Sequence, residues 1–70
     1  MKGSEFLRKL KAYAESHGLE FKRLKNRGKG DHQTVFLGSR FTVLPDTHAE
    51  LKTGTLHGLC KQLGIRPSDL

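Results

Sequence analysis

Two short stretches rich in β-branched and aromatic residues, separated by Gly38-Ser39, constrain the fold of this chain more than any other feature. The first is DHQTVFL (31–37) and the second is RFTVL (40–44), which stops at Pro45. Glycine at the first turn position favours a type II′ turn, whose twist suits two antiparallel strands. The pattern therefore predicts a hairpin formed by these two strands.

A helix is predicted ahead of the hairpin, from Ser4 to His17. Ser4 is expected to cap its N-terminus, and Gly18 is expected to end it. Apolar residues recur at helical spacing and should form a core-facing stripe. The stripe consists of Phe6, Leu7, Leu10 and Ala14, with Tyr13 at its border, and the other face carries Lys9, Lys11 and Glu15.

The remaining segments complete one small fold. LEFKRLK (19–25) alternates as a strand, with Phe21 and Arg23 on one face. PDTHAELK (45–52) is expected to be a polar connection. A last helix is predicted from Thr53, with an apolar stripe of Leu56, Leu59, Cys60 and Leu63 that ends at Gly64. The order helix, three antiparallel strands, helix predicts an α+β two-layer sandwich, and 70 residues suit a single domain over 1–70.

Positive charge is concentrated in one part of the chain. The sequence has 13 basic and seven acidic residues, and five basic residues fall between Glu20 and Asp31 with no acid among them. They are Lys22, Arg23, Lys25, Arg27 and Lys29. Without this segment the chain is close to neutral, so the charge forms a local patch. Nucleic acid is the commonest partner of such a patch. When clustered Lys and Arg neutralise its phosphates, the counterions bound to the nucleic acid are released, which favours binding.

Several classes of protein do not fit the sequence. Cys60, the single cysteine, cannot form an internal disulfide and is expected in the core. No apolar run approaches the roughly 18 residues of a bilayer span, and the N-terminus has no signal-peptide apolar block, so a cytoplasmic protein without membrane attachment is expected. His17 suits a helix C-terminus. Because His48 and His57 lack metal-ligand spacing, neither a metal nor another cofactor is expected.

Two motifs follow one another along the chain. The first is a Gly-x-His step, Gly30-Asp31-His32, at the start of the second strand. The second is the ending LKTGTLHGLCKQLGI (51–65). Together with the helical start they resemble the HicA toxin family of bacterial HicAB toxin–antitoxin systems, and the resemblance covers essentially the whole chain. The family typically ends in a Lys-x-Gly-Thr-Leu…Leu-Lys-Gln-x-Gly-Leu/Ile signature, and the residues that match it here are Lys52, Gly54, Thr55, Leu56, Lys61, Gln62, Gly64 and Ile65.

The resemblance implies a fold like the double-stranded-RNA-binding domain and an endoribonuclease that cleaves mRNA. It also implies a HicB-like antitoxin that covers the active surface, with a free toxin that is monomeric. The family's essential histidine maps onto His32. Two departures are visible: the link KNRGKG (25–30) is longer than the family's usual one, and Gln33 stands where a second histidine often follows. The second departure narrows the catalytic candidates to one imidazole.

The chemistry of RNA cleavage fits these residues. RNA supplies its own nucleophile, the ribose 2′-hydroxyl, so the reaction further needs a base, positive charge on the phosphate and some acid for the leaving 5′-oxygen. An imidazole is largely neutral at pH 7 and can act as the base, which is the role assigned to His32. The five basic residues of the patch are expected to bind the phosphates of the RNA. A second anion site is expected where the last helix begins, at Lys52, Gly54 and Thr55.

Two other functions remain open from the sequence. A small domain with this patch could grip double-stranded or structured RNA without cleaving it. It could also bind an acidic protein. Incubation with RNA in EDTA separates the first alternative from the nuclease, because only a metal-independent nuclease would cleave there.

Overall fold

The computed structural model describes residues 1–25 and 32–70, and its elements follow the predicted order. They are helix α1 (Gly3–Ser16), strands β1 (Phe21–Lys25), β2 (Gln33–Leu37) and β3 (Arg40–Leu44), and helix α2 (Thr53–Leu63), followed by a short 3-10 turn (Pro67–Asp69). The predicted α+β class is confirmed. Within the described ranges, no helix has both the length and the apolar character needed to cross a bilayer.

The three strands form one antiparallel sheet in the order β1-β2-β3. At one end of the sheet Lys25, Gln33 and Leu44 are aligned in register. The predicted turn joins β2 to β3 at the other end. Gly38 has φ of 60°, and no described residue other than glycine has positive φ, as a type II′ turn requires. The predicted hairpin is confirmed.

Both helices cover the same face of the sheet, with α1 beside β1 and α2 beside β3. The core between the two layers contains both predicted helical stripes and the inward side chains of β2 and β3. Its buried members include Phe6, Leu7, Leu10, Ala14, Val35, Leu37, Leu44, Leu59, Cys60 and Leu63. Burial raises the pKa of the Cys60 thiol, and the charge of Asp69 adds to the effect. The cysteine is therefore a core residue and not a nucleophile.

The start of α1 differs from the prediction. The helix begins at Gly3, the N-cap position is Lys2, and Ser4 lies inside the first turn without a capping side-chain bond. The unpaired N–H groups of the first turn are satisfied from outside the helix. Gly3 N–H donates to the Ala49 carbonyl (3.1 Å) and Ser4 N–H donates to the Thr47 carbonyl (2.8 Å). Since backbone carbonyls already serve these donors, the Ser4 hydroxyl is not needed as a cap.

The connection between β3 and α2 is an irregular and largely exposed segment, as predicted, but two of its residues are buried. Leu51 is buried with the core, and the Thr47 side chain is buried as well. The backbone bonds that serve the first turn of α1 also hold this connection against the start of the helix. The burial of these two residues was not predicted.

Two predicted strands are shorter in the structure. β1 begins at Phe21, because the Leu19 N–H donates to the Ala14 carbonyl (2.8 Å) and closes the end of α1 instead of joining the sheet. β2 begins at Gln33, so His32 directly precedes the strand. The predicted start of that strand at Asp31 lies outside the described residues.

The other face of the sheet, here called the open face, is not covered by either helix. It carries Leu24, Phe41 and Val43, whose exposed fractions are 47%, 58% and 42%. The rings of Phe36 and Phe41 contact each other across β2 and β3, with centroids 5.9 Å apart. An apolar surface of this kind is a common feature of protein-binding sites.

Candidate nucleic-acid interface

His32 lies at the end of the sheet where Lys25, Gln33 and Leu44 are aligned, here called the His32 end. It directly precedes β2, and Lys25 is the register partner of Gln33, its neighbour in the chain. β1 therefore delivers an exposed cation to the same end as the imidazole. This proximity follows from the antiparallel pairing, because the last residue of β1 must face the first residue of β2.

Both helices also begin at the His32 end. The connection that leaves β3 at Leu44 contacts the first turn of α1, and the Leu51 N–H donates to the Met1 carbonyl (2.8 Å) just before α2 begins. The N-termini of the two helices are thus neighbours. A helix N-terminus carries a partial positive charge, so both helix dipoles raise the potential at this end of the molecule.

The His32 side chain is exposed. No group among residues 1–25 and 32–70 forms a hydrogen bond with its ring. Gln33, the next residue, is half-buried and lies on the helix-covered face with Val35 and Leu37. Alternation along the strand therefore assigns His32 to the open face. An imidazole at this position can accept a proton from a ligand that approaches from solvent.

The start of α2 has the features of the predicted anion site. Lys52 occupies the N-cap position, and both Gly54 and Thr55 are exposed in the first turn. In the part of the chain that the structure describes, no acceptor bonds the N–H groups of Gly54 and Thr55. A Cβ added at Gly54 would meet nothing within 4 Å, so the backbone there is open to a ligand. Such a turn can bind a phosphate, and its role here stays a prediction.

The basic patch divides into two groups. Lys22, Arg23 and Lys25 lie on β1 and are exposed. Arg27 and Lys29 lie outside the described residues, so their predicted phosphate contacts cannot be assigned a position.

A groove between α1 and β1, here called the α1–β1 groove, brings further basic residues to the patch. Its volume is about 540 Å³, and its lining residues are Ser4, Leu7, Arg8, Lys11, Phe21, Lys22 and Arg23. Arg8 and Lys11 were not among the predicted site residues, and Lys11 was assigned to the solvated face of the helix. Their spacing of three places them on one side of α1, beside the buried Leu7. That spacing was the available signal, but only the packing of α1 beside β1 brings the two residues to the patch.

The comparison with curated proteins gives one relative over nearly the whole chain. It is the probable mRNA interferase HicA of Pseudomonas fluorescens (strain Pf0-1), which is 43% identical over 67 residues, covering 94% of this chain and 98% of the relative. The chain belongs to the HicA family. The resemblance inferred from the two motifs is thereby confirmed. No family model matches this HicA chain, and no solved structure matches it.

The other histidines of this HicA chain lie at the end of α1, in the connection between β3 and α2, and within α2, and the one in the connection, His48, is at the His32 end. His17 is at the C-terminus of α1, as predicted, where its ring stacks on Tyr13 (centroids 4.0 Å apart) and its Nδ1 donates to the Tyr13 carbonyl (3.0 Å). His48 and His57 are exposed. Among the described residues no three His, Cys, Asp or Glu side chains are grouped as metal ligands.

Proposed function

We propose that this HicA-family chain is the toxin of a toxin–antitoxin system, an endoribonuclease that cleaves mRNA without a metal or other cofactor. It acts in the cytoplasm, as a single domain over residues 1–70 and as a monomer until an antitoxin binds it. The relative from Pseudomonas fluorescens is named a probable mRNA interferase, which supports mRNA as the substrate. One structural observation carries the proposal: His32 is exposed at the end of the sheet where Lys25 and two helix N-termini supply positive charge.

The reaction uses the ribose 2′-hydroxyl of the substrate as nucleophile. His32 accepts the proton of this hydroxyl while its oxygen forms a bond to the adjacent phosphorus. The bond from phosphorus to the 5′-oxygen breaks, and that oxygen takes up a proton from water. The products are a 2′,3′-cyclic phosphate and a free 5′-hydroxyl. Because the nucleophile belongs to the RNA, one positioned base and local positive charge are sufficient machinery.

The charged residues bind the phosphates in this proposal. Lys25 is at the His32 end but on the helix-covered side of the sheet, as the register partner of Gln33, so it binds a phosphate that flanks the reacting one. Lys22 and Arg23 bind neighbouring phosphates, and Arg27 and Lys29, the basic residues nearest to His32 in the sequence, are assigned the stabilisation of the transition-state charge. Lys52, Gly54 and Thr55 bind a further phosphate at the start of α2, where the helix dipole favours an anion.

Incubation of the purified protein with RNA in EDTA tests the nuclease function. We expect the RNA to be cut in the chelator at the rate seen without it, because neither the base nor the nucleophile needs a metal. The new ends should be 2′,3′-cyclic phosphates, detectable by mass spectrometry. RNA that is bound but remains intact would instead identify a structured-RNA-binding module and would end the nuclease proposal.

A HicB-like antitoxin is the proposed protein partner. The open face supports this proposal, because it exposes Leu24, Phe41 and Val43 on the same side of the sheet as His32. A protein seated there would bury apolar surface and would also block access to the base. We expect the product of an adjacent antitoxin-like reading frame to form a complex with the chain and to stop RNA cleavage at equimolar concentration. Cleavage that continues in the purified complex would contradict this role.

A further inference from the structure

The α1–β1 groove concentrates positive charge that nothing nearby neutralises. Arg8 and Lys11 enter it from α1, and Lys22 and Arg23 enter it from β1. Among the described residues no carboxylate lies within the 4.0 Å of an ion pair from any of these four side chains. Lys9, on another side of the same helix, is different, because its Nζ is 3.5 Å from Glu5. Four like charges around one groove favour a polyanion, whose binding releases the counterions that would otherwise surround them.

The groove runs along the molecule toward the His32 end. α1 ends near the start of β1, so the helix and the strand run antiparallel to each other. Ser4, at the start of α1, therefore lies at the end of the groove nearest to the last residue of β1. Arg23 lies two residues before Lys25, which corresponds to about 7 Å along a strand. A chain of phosphates that occupies the groove therefore leads to the end of the sheet at which His32 lies.

The walls and the floor of the groove have different chemistry. Cations form its walls, whereas Leu7 and the half-buried ring of Phe21 provide an apolar floor. Proteins that bind single-stranded nucleic acid combine a positively charged groove for the backbone with an aromatic surface for the bases. An acidic polypeptide would satisfy the charges but would leave the aromatic floor without a stacking partner.

We propose that the α1–β1 groove binds the unpaired RNA strand that flanks the scissile phosphate. Arg8, Lys11, Lys22 and Arg23 hold its phosphates, and a base packs on Phe21. Arg8 and Lys11 are thereby assigned as RNA-binding residues of α1. This inference rests on the proposed nuclease function, since it takes the strand in the groove to be the one that is cut at His32.

Substitution of the two helix cations tests the groove. The R8Q/K11Q protein is compared with K9Q/K61Q, which removes the same number of charges at positions outside the groove. Both are made in a His32→Ala background, so that the RNA stays intact, and also in the wild-type background for cleavage assays. The probe is a fluorescent oligouridylate of about 12 nucleotides. Its dissociation constant is measured by anisotropy between about 50 and 200 mM salt.

We expect R8Q/K11Q to bind the single strand about tenfold more weakly at low salt. The slope of log K against log salt should fall by about 1.4, since each lost single-strand phosphate contact removes about 0.7. K9Q/K61Q should stay within about twofold of the parent protein. All four positions are surface positions, so the thermal midpoints of the variants should remain close to that of the parent.

Other outcomes distinguish a failure of the groove inference from a failure of the proposed nuclease function. If R8Q/K11Q binds and cleaves RNA as K9Q/K61Q does, the groove inference fails and the nuclease function stands. If the groove variants lose affinity but the wild type leaves RNA intact, the groove is an RNA-binding site and the nuclease function fails. If R8Q/K11Q loses more affinity for duplex RNA than for the single strand, the inference that the groove binds an unpaired strand is wrong. Competition by polyglutamate at the same charge concentration as RNA would overturn the assignment to nucleic acid.

Discussion

Replacement of His32 by alanine is expected to slow RNA cleavage by a factor of about 10² to 10⁴, the usual contribution of a general base. Alanine removes the only group at this position that can accept the 2′-hydroxyl proton, whereas the phosphate-binding residues remain. Because the side chain is exposed and precedes β2, its loss should leave the fold unchanged. The measurement is the initial rate of cleavage of a labelled RNA, together with growth arrest at matched expression.

His57→Ala is the matched control for this experiment. His57 is also an exposed histidine, but it lies within α2, one turn after the helix begins, and has no role in the proposed reaction. We expect its replacement to leave both the cleavage rate and the growth arrest at the wild-type level. A His32→Ala protein that cleaves as fast as His57→Ala would remove His32 from the catalytic role.

Gly3→Ala is expected to cause a large loss of stability. Gly3 is buried at the first turn of α1, and an added Cβ would lie 2.8 Å from the Thr47 Cα and even closer to the Asp46 carbonyl oxygen. Both neighbours are backbone atoms, so the connection between β3 and α2 would have to move away from the helix. We expect the free energy of unfolding to fall by about 2–4 kcal/mol, from overpacking and from weakened hydrogen bonds. The thermal midpoint should fall by about 10 °C or more.

Gly58→Ala provides the opposite result in the same protein. Gly58 lies inside α2, and an added Cβ there would meet nothing within 4 Å. Alanine should therefore raise the free energy of unfolding by about 0.5–1 kcal/mol through its higher helix propensity. Thermal unfolding followed by circular dichroism measures both variants. Equal midpoints for the two proteins would contradict the steric argument for Gly3.

The elements of the fold could be predicted from the sequence because each depends on local signals. The Gly38-Ser39 turn fixes the hairpin, and the periodic apolar residues of both helices are the ones that the structure buries. Gly18, with φ of 65°, ends α1 as its position after the stripe indicated. Such signals lie within a few residues of the structure that they determine, so they can be recognised without knowledge of the tertiary packing.

The errors arose where distant segments meet. Ser4 has the chemistry of a cap, but the carbonyls that serve the first turn belong to residues more than forty positions later in the sequence. The burial of Leu51 has the same origin, because the start of α1 covers the connection. Propensity describes what a residue prefers alone, and here tertiary hydrogen bonds and packing override it.

The candidate site was only partly predictable. His32 was identified from a motif, and the cations of β1 were identified from charge density. Arg8 and Lys11 belong to a helix in which both signs of charge alternate, so no local pattern separates them from Lys9. The packing of α1 beside β1 distinguishes them, since it turns one side of the helix toward the basic strand.

The residues that stabilise the fold are buried and the proposed functional residues are exposed, which has an evolutionary and a practical consequence. The residues that bury apolar surface lie between the sheet and the helices, whereas His32 and the cations of β1 are exposed. A chain built in this way can exchange its substrate contacts one residue at a time and remain folded. It can also lose its base in a single step and persist as a stable, harmless protein. Such a protein can be produced in quantity and used as bait for its antitoxin.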